Sequence, residues 1–213
     1  MKTNIYCPNL DNIKTFYSEM SDDYDLNAES RGVNKVLHLE VDFLKSFEPR
    51  SVLEFGVGTG RFAQAFLDRV NSEADYKVRY VGVDISPEML AKISSGEIEK
   101  VQEDFLVFIE NTKDKFDACV APYTVICDID TAMQVRLVNK ILTKSKILIV
   151  NVPTIDYQKR LGFEELSPKT FFVPGTNLST SAYFINKKLR EQAKQTVFLD
   201  SDRELLVFDK ALE

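Results

Sequence analysis

The sequence has a single histidine, His38, and no tryptophan among its 213 residues. A Ser-His-Asp triad or a multi-histidine metal centre therefore lacks its parts, and no metal ligand set is expected. Chemistry here has to rest on carboxylates, tyrosines, backbone groups or a reactive molecule brought from outside. Cysteine is also scarce. Cys7, Cys119 and Cys127 are odd in number and form no CxxC pair, which argues for free thiols in a reducing compartment rather than a disulfide framework or zinc site. No apolar run approaches the roughly eighteen residues of a membrane helix, and the opening MKTNIYCPNLDNIKTFYSEM lacks the apolar core of a signal peptide. A cytoplasmic protein without a membrane partner is expected. A basic excess is missing too: 27 Lys and Arg stand against 33 Asp and Glu, and the net charge of -6 disfavours nucleic acid as a partner. What remains, 44% hydrophobic and 28% charged residues with seven prolines, is the composition of an ordinary globular chain. Its length suits one domain with an elaboration.

Residues 1–50 read as a helical cover, broken by the turn-forming Ser21–Asp25 stretch, with an amphipathic helix from Val33 that stops before Pro49. His38 is expected to be partly buried on that helix. Residues 51–151 then alternate. SVLEF, VRYVGVDI, IEKVQED, FDACVAPY and KILIVNVP read as strands, separated by RFAQAFLDRV, SPEMLAKI, FLVFIENT and a helix over 129–142. Apolar strands separated by short helices predict right-handed parallel crossovers, hence an open sheet with helices on both faces. Residues 153–185, with Pro153, Pro168, Pro174 and Gly175, read as an irregular or antiparallel insertion. Residues 186–213 supply one more helix, from Lys187, and a terminal hairpin of TVFL and LLVFDK.

The informative segment is VLEFGVGTG, Val52 to Gly60, which places Glu54 at the end of a strand and Gly56, Gly58 and Gly60 in the turn that opens a helix. Glycine admits positive φ and lets a ligand lie against backbone, and the following helix offers free N–H groups. Such a turn lies at the carboxyl end of a strand, where open α/β sheets bind ligands. A dinucleotide fingerprint would be GxGxxG. Here the third glycine comes one position early, and Arg61 stands where that motif needs glycine, which weakens a nicotinamide-dependent reductase.

The Glu-x-Gly-x-Gly-x-Gly pattern resembles motif I of the class I S-adenosylmethionine-dependent methyltransferases, and further positions agree in order. Asp84 follows Gly60 by 24 residues and ends the second strand; Asp104-Phe105 follows 20 later; Ala121-Pro122-Tyr123 closes the fourth strand. The resemblance implies a Rossmann-like α/β fold of seven strands, mostly parallel, with a C-terminal antiparallel hairpin. It implies S-adenosylmethionine as cofactor and S-adenosylhomocysteine as product. The implied cofactor contacts are Tyr24, Glu54, Phe55, Gly56, Gly58, Gly60, Arg61, Asp84, Ile85, Met89, Asp104, Phe105, Ala121 and Tyr123. Among them, Asp84 would accept from the ribose hydroxyls and Asp104 from the adenine amine. Tyr24 would lie over the methionine end. Helix capping is the alternative role for Asp84 and Asp104, with Ser86-Pro87 already reading as a cap and first helical residue.

The family's nucleic-acid amino-methyltransferases keep an Asn or Asp before Pro-Pro-aromatic, whereas this chain has Val120-Ala121-Pro122-Tyr123. That difference favours a small-molecule acceptor, covered by the 153–185 insertion with Phe163, Phe171, Phe172, Tyr183 and Phe184. Tyr123 and Asp156 are the candidate catalytic residues by position, with Asp128 and Tyr157 nearby. A noncatalytic cofactor-binding or partner-binding protein is the alternative from another class. Oligomeric state is not legible.

Overall fold

The computed structural model describes residues 10–30, 34–73, 75–123, 125–129, 131–160, 170–172, 179–181 and 187–210. Three helices come first: α1 (Leu10–Met20), α2 (Tyr24–Ser30) and α3 (Asn34–Lys45). In α1, Ile13, Phe16, Tyr17 and Met20 recur at helical spacing on one side. In α3 the buried face is Val36, Glu40, Val41 and Leu44. His38 lies off that face and is exposed, contrary to expectation.

Strand and helix then alternate as β1 (Ser51–Phe55), α4 (Arg61–Glu73), β2 (Arg79–Asp84), α5 (Pro87–Ala91), β3 (Ile98–Gln102), α6 (Phe105–Asn111) and β4 (Phe116–Ala121). A single 3-10 turn over Val125–Asp128 leads into α7 (Thr131–Leu142), followed by β5 (Ser145–Pro153). Helix α7 thus starts two residues later than its apolar pattern predicts, because the preceding turn takes a tighter winding. Beyond β5 come α8 (Ile155–Arg160), the antiparallel pair β6 (Thr170–Phe172) and β7 (Ser179–Ser181), α9 (Lys187–Gln192), β8 (Gln195–Phe198) and β9 (Arg203–Asp209). The sequence does not signal α8. Phe163, Tyr183 and Phe184, and the side chains of Phe171 and Phe172, lie outside the described residues.

The main sheet has seven strands in the order β3-β2-β1-β4-β5-β9-β8. The first five run parallel, and β9 pairs antiparallel with both β5 and β8. This is the Rossmann-like α/β sheet with a C-terminal antiparallel hairpin that the sequence predicts. The hairpin folds with its second strand inward for a physical reason. In β9, Leu205, Leu206, Val207 and Phe208 are all buried and need cover on both faces, while β8 exposes Gln195, Thr196 and Phe198 and tolerates the edge.

Side-chain alternation divides the core into two layers. Leu53, Phe55, Val81, Val83, Leu148, Val150, Leu206 and Phe208 pack with α6, α7 and α9. Val52, Tyr80, Ala118, Val120, Ile149, Leu205 and Val207 pack with α3 and α4. The carboxyl ends of β1, β2 and β4 therefore meet at one edge of the sheet, with α3 and α4 below and α1 beside α5.

Candidate cofactor site

The loop after β1 turns through three left-handed glycines, Gly56 at φ +65°, Gly58 at +54° and Gly60 at +80°. Two of them show why no side chain belongs here. A Cβ at Gly56 would stand 2.7 Å from Val125 Cγ2, so the chain needs glycine for packing as well as conformation. At Gly58 the nearest atom to a Cβ would be Gly56 O at 3.9 Å; the space beside it is open, and a ligand can approach the backbone. The loop is tied to β2, with Gly56 N–H donating to Val83 O at 2.8 Å and Val57 N–H to the same oxygen at 3.2 Å.

At the end of β2 the Asp84 carboxylate receives Gly58 N–H on Oδ2 at 2.8 Å and Ser86 N–H on Oδ1 at 2.9 Å. Each oxygen keeps lone-pair capacity for a further donor. Burial raises the Asp84 pKa above its ordinary value, and these backbone donors oppose the shift. Ser86 caps α5, accepting from Met89 N–H at 3.2 Å, with Pro87 in the first turn. One loop along, Asp104 caps α6: its Oδ1 accepts from Leu106 N–H at 2.8 Å and Val107 N–H at 3.1 Å. Capping and ligand binding are compatible in Asp104, whose cap uses only Oδ1, whereas Asp84 caps no helix, the cap of α5 being Ser86.

These groups wall a cavity of about 260 Å³. Tyr24, Gly56, Gly58, Asp84, Ile85, Met89, Asp104, Phe105 and Tyr123 all line it. Phe55, Gly60 and Ala121 lie behind that wall, in the core or in the turn that shapes it. Asp156, exposed on α8, and Tyr157 are not on the wall, and the side chain of Asp128 is outside the described residues. Several wall residues carry no sequence signal of their own: Ile13 and Tyr17 from α1, Leu106 from α6, and Val125, Ile129 and Met133 around the start of α7. The amphipathic spacing of α1 is the one hint that its Ile13 and Tyr17 face inward.

The helical cover is fastened by polar contacts. Ser18 Oγ donates to Glu88 Oε2 at 2.6 Å, Lys92 Nζ to Asp22 Oδ1 at 2.5 Å, and Thr59 Oγ1 to Asp25 Oδ1 at 2.8 Å. Asp25 thus holds the glycine loop while its neighbour Tyr24 lines the cavity. Beneath the loop lies a buried polar layer. Tyr80 Oη donates to Glu54 Oε2 at 2.7 Å, and burial drives the Glu54 carboxyl well above its ordinary range. Glu40, on α3, accepts from Asn151 Nδ2, and burial pushes its pKa up to about 7. The Arg61 guanidinium stacks 4.7 Å from the centroid of the Tyr123 ring. Tyr123 itself has φ +52°, a strained conformation for a tyrosine, which turns its ring between this layer and the cavity.

Residues 52–145 match the methyltransferase domain family. Over that stretch the chain is similar to methyltransferase domains. Among curated proteins none matches it in sequence. Solved structures share its fold at low identity. The DhpI-SAM-HEP complex is 11% identical with a TM-score of 0.68, covering 96% of this chain and 99% of that one. The Burkholderia thailandensis 1,6-didemethyltoxoflavin-N1-methyltransferase, solved with 1,6-didemethyltoxoflavin and S-adenosylhomocysteine, is 13% identical with a TM-score of 0.61, covering 99% and 93%. An S-adenosylmethionine-dependent methyltransferase from Clostridium acetobutylicum ATCC 824 is 13% identical with a TM-score of 0.59, covering 91% and 98%. The site has the donor set for the family's cofactor: a held carboxylate at Asp84, a second at Asp104, an open backbone at Gly58, and apolar walls at Ile85, Met89 and Phe105. Among the described residues no group of three or more His, Cys, Asp or Glu could hold a metal ion, and no helix is long and apolar enough to cross a membrane.

Proposed function

We propose that the chain is an S-adenosylmethionine-dependent methyltransferase acting on a small-molecule acceptor, and that the cavity under α1 binds the cofactor through Asp84, Asp104 and the glycine loop. The observation that carries the site is the Asp84 carboxylate, fixed by Gly58 N–H and Ser86 N–H on the cavity wall where β1 and β2 end. A carboxylate so held suits a vicinal diol. Ile85, Met89, Phe105 and Leu106 give the cavity apolar lining that suits a base ring, with Asp104 on the same wall. The cofactor, when bound, supplies a methyl group already activated on a sulfonium.

The protein's part is then orientation and exclusion of water. Ile13, Tyr17 and Tyr24 close over the cavity from the N-terminal helices, a roof that suits a small acceptor better than a base within a polymer. The charge of -6 points the same way, away from polyanions. Tyr123 is the candidate residue facing both cofactor and acceptor. Burial raises its phenol well above the ordinary value, so it keeps its proton and positions a ligand rather than acting as a base. Asp156 is carried as a catalytic candidate only by its place after β5.

Calorimetry with S-adenosylmethionine tests the site. Asp84→Ala is expected to weaken binding about 10- to 100-fold, the loss of one or two charge-assisted hydrogen bonds, and Gly58→Val to weaken it further by straining and filling the loop. Undiminished binding in both variants would sink the assignment. A screen of small acceptors for S-adenosylhomocysteine release tests the acceptor class.

A further inference from the structure

The two edges of the main sheet are protected unequally. β3 forms one edge and carries Glu99 and Lys100, charges of the kind that keep an open edge from pairing with another chain. β8 forms the other and reads Gln-Thr-Val-Phe, without charge or proline. Among the described residues no strand pairs with its outer side. Phe198 on this strand is 71% exposed, more than any other large apolar side chain described.

Backbone alternation sets what that edge offers. Leu199 N–H donates to Arg203 O at 2.9 Å, so Leu199 faces β9, and so does Val197, two residues earlier and opposite Leu205. Thr196 and Phe198 therefore turn their N–H and C=O groups outward, away from β9. The flanks of the strand say what fits there. Lys194 stands three residues before Val197 and Asp200 three after it, and both are exposed. An antiparallel strand of the same sequence, related by a two-fold axis at Val197, sets Thr196 opposite Phe198 of the second copy. Each such pair exchanges main-chain hydrogen bonds, and the exposed ring gains a cross-strand neighbour. The same axis brings Lys194 beside Asp200 of the second copy at both ends, whereas a parallel arrangement would set lysine beside lysine.

Both charged groups are available for this. The Lys194 ammonium has Asp209 at 3.9 Å, a loose contact. Asp200 spends Oδ1 on the turn, accepting from Asp202 N–H at 2.7 Å and Arg203 N–H at 2.8 Å, which leaves Oδ2 for a second partner.

We propose that two copies of the chain associate through an antiparallel β8–β8 contact with its two-fold axis at Val197. Their sheets then join into one, and the uncharged edge is closed while the charged β3 edge stays open. β8 lies three strands beyond β4 in the sheet order, so both cofactor cavities remain clear of the contact and the inference stands independently of the cofactor reading. A strand of four residues makes a small interface, and the association is a reversible one at micromolar concentrations.

Sedimentation velocity of the full chain over a concentration series tests this. The wild type is expected to shift from monomer to dimer and no further. Thr196→Pro removes an outward N–H without touching the ladder to β9 and should raise the dimer dissociation constant at least about tenfold. Lys194→Glu sets like charges together at both ends and should raise it about fivefold. Adding Asp200→Asn to Lys194→Glu keeps an oxygen for the turn, removes the repulsion and should recover most of that loss. Urea midpoints close to wild type show that each variant is folded. A wild type that stays monomeric up to several hundred micromolar, or grows beyond a dimer, would overturn the proposal. So would a dimer that Thr196→Pro and Lys194→Glu leave unchanged, since its contact would then lie elsewhere.

Discussion

Gly82 lies in the middle of β2 and is a glycine for a reason no motif announces. A Cβ there would meet Val57 Cγ2 at 2.7 Å and Val57 Cβ at 2.8 Å, and Val57 is part of the glycine loop. Packing at one residue therefore sets the height of the whole loop over the sheet. Gly82→Ala is expected to destabilise the fold by about 1–3 kcal/mol, the usual cost of overpacking, and to weaken cofactor binding by displacing Val57. Gly96→Ala is the control, with nothing within 4 Å of its Cβ; chemical denaturation should show it unchanged or slightly stabilised. Equal stability of the two variants would refute the packing argument. Tyr80 makes the complementary case for polar atoms. Its hydroxyl is the donor to Glu54, which burial already biases towards the neutral form. Tyr80→Phe leaves that buried carboxyl with one partner fewer, an expected loss of about 1–2 kcal/mol in urea unfolding.

Among the elements, the sheet was legible in sequence because each central strand is a short apolar run and each crossover begins at a recognisable cap. Ser86-Pro87 and Asp104 cap their helices as their residue types predict. Glycine spacing located the loop, and Asp84 and Asp104 reached the cavity wall because both sit at strand ends, where the chain is fixed. The fastenings of the roof were not legible. Ser18 meets Glu88 across 70 positions in the sequence, and a contact of that separation leaves no periodic trace. Nor did composition show that Glu54 turns away from the cavity to Tyr80, since facing depends on strand register. The roof's fastenings also differ in strength from the core. Asp22 is exposed, its pKa lowered by the hydrogen bond and charge of Lys92, and pairs of this kind contribute little. Helices α1 and α2 also have the Ser18–Glu88 and Asp25–Thr59 contacts and the apolar Ile13 and Tyr17 at the cavity wall. The double variant Ser18→Ala, Asp25→Ala is expected to leave global stability within about 1 kcal/mol while speeding proteolytic cleavage in the 20–35 stretch. Cofactor should slow that cleavage; limited digestion with and without S-adenosylhomocysteine measures both effects. Cleavage at the wild-type rate would mean that the apolar contacts alone hold the roof.

Across the whole molecule the distribution of charge matters more than its total. The surface carries paired acids with lowered pKa values, such as Glu73 beside Lys45 and Asp117 beside Lys146, whereas Glu40, Glu54 and Asp84 lie under or around the cavity with values raised by burial. The two sets act on stability in opposite directions. A lowered carboxyl contributes stability that is lost on acidification below its ordinary value. A raised carboxyl binds its proton more tightly in the folded state, so its contribution is present at low pH and is lost as pH rises through the window between the unfolded and folded values. For Glu40 that window runs from 4.5 to about 7. Integrated across it, one such group is worth about 3 kcal/mol at most, because relaxation and internal water reduce the cost. Glu40→Gln removes the ionisation while keeping an oxygen to accept from Asn151 Nδ2. The variant should therefore lose less stability than wild type between pH 5 and pH 8, with a residual slope from Glu54 and Asp84. Urea midpoints at the two pH values measure it, and a wild-type difference that survives the substitution intact would show that Glu40 does not titrate in that range.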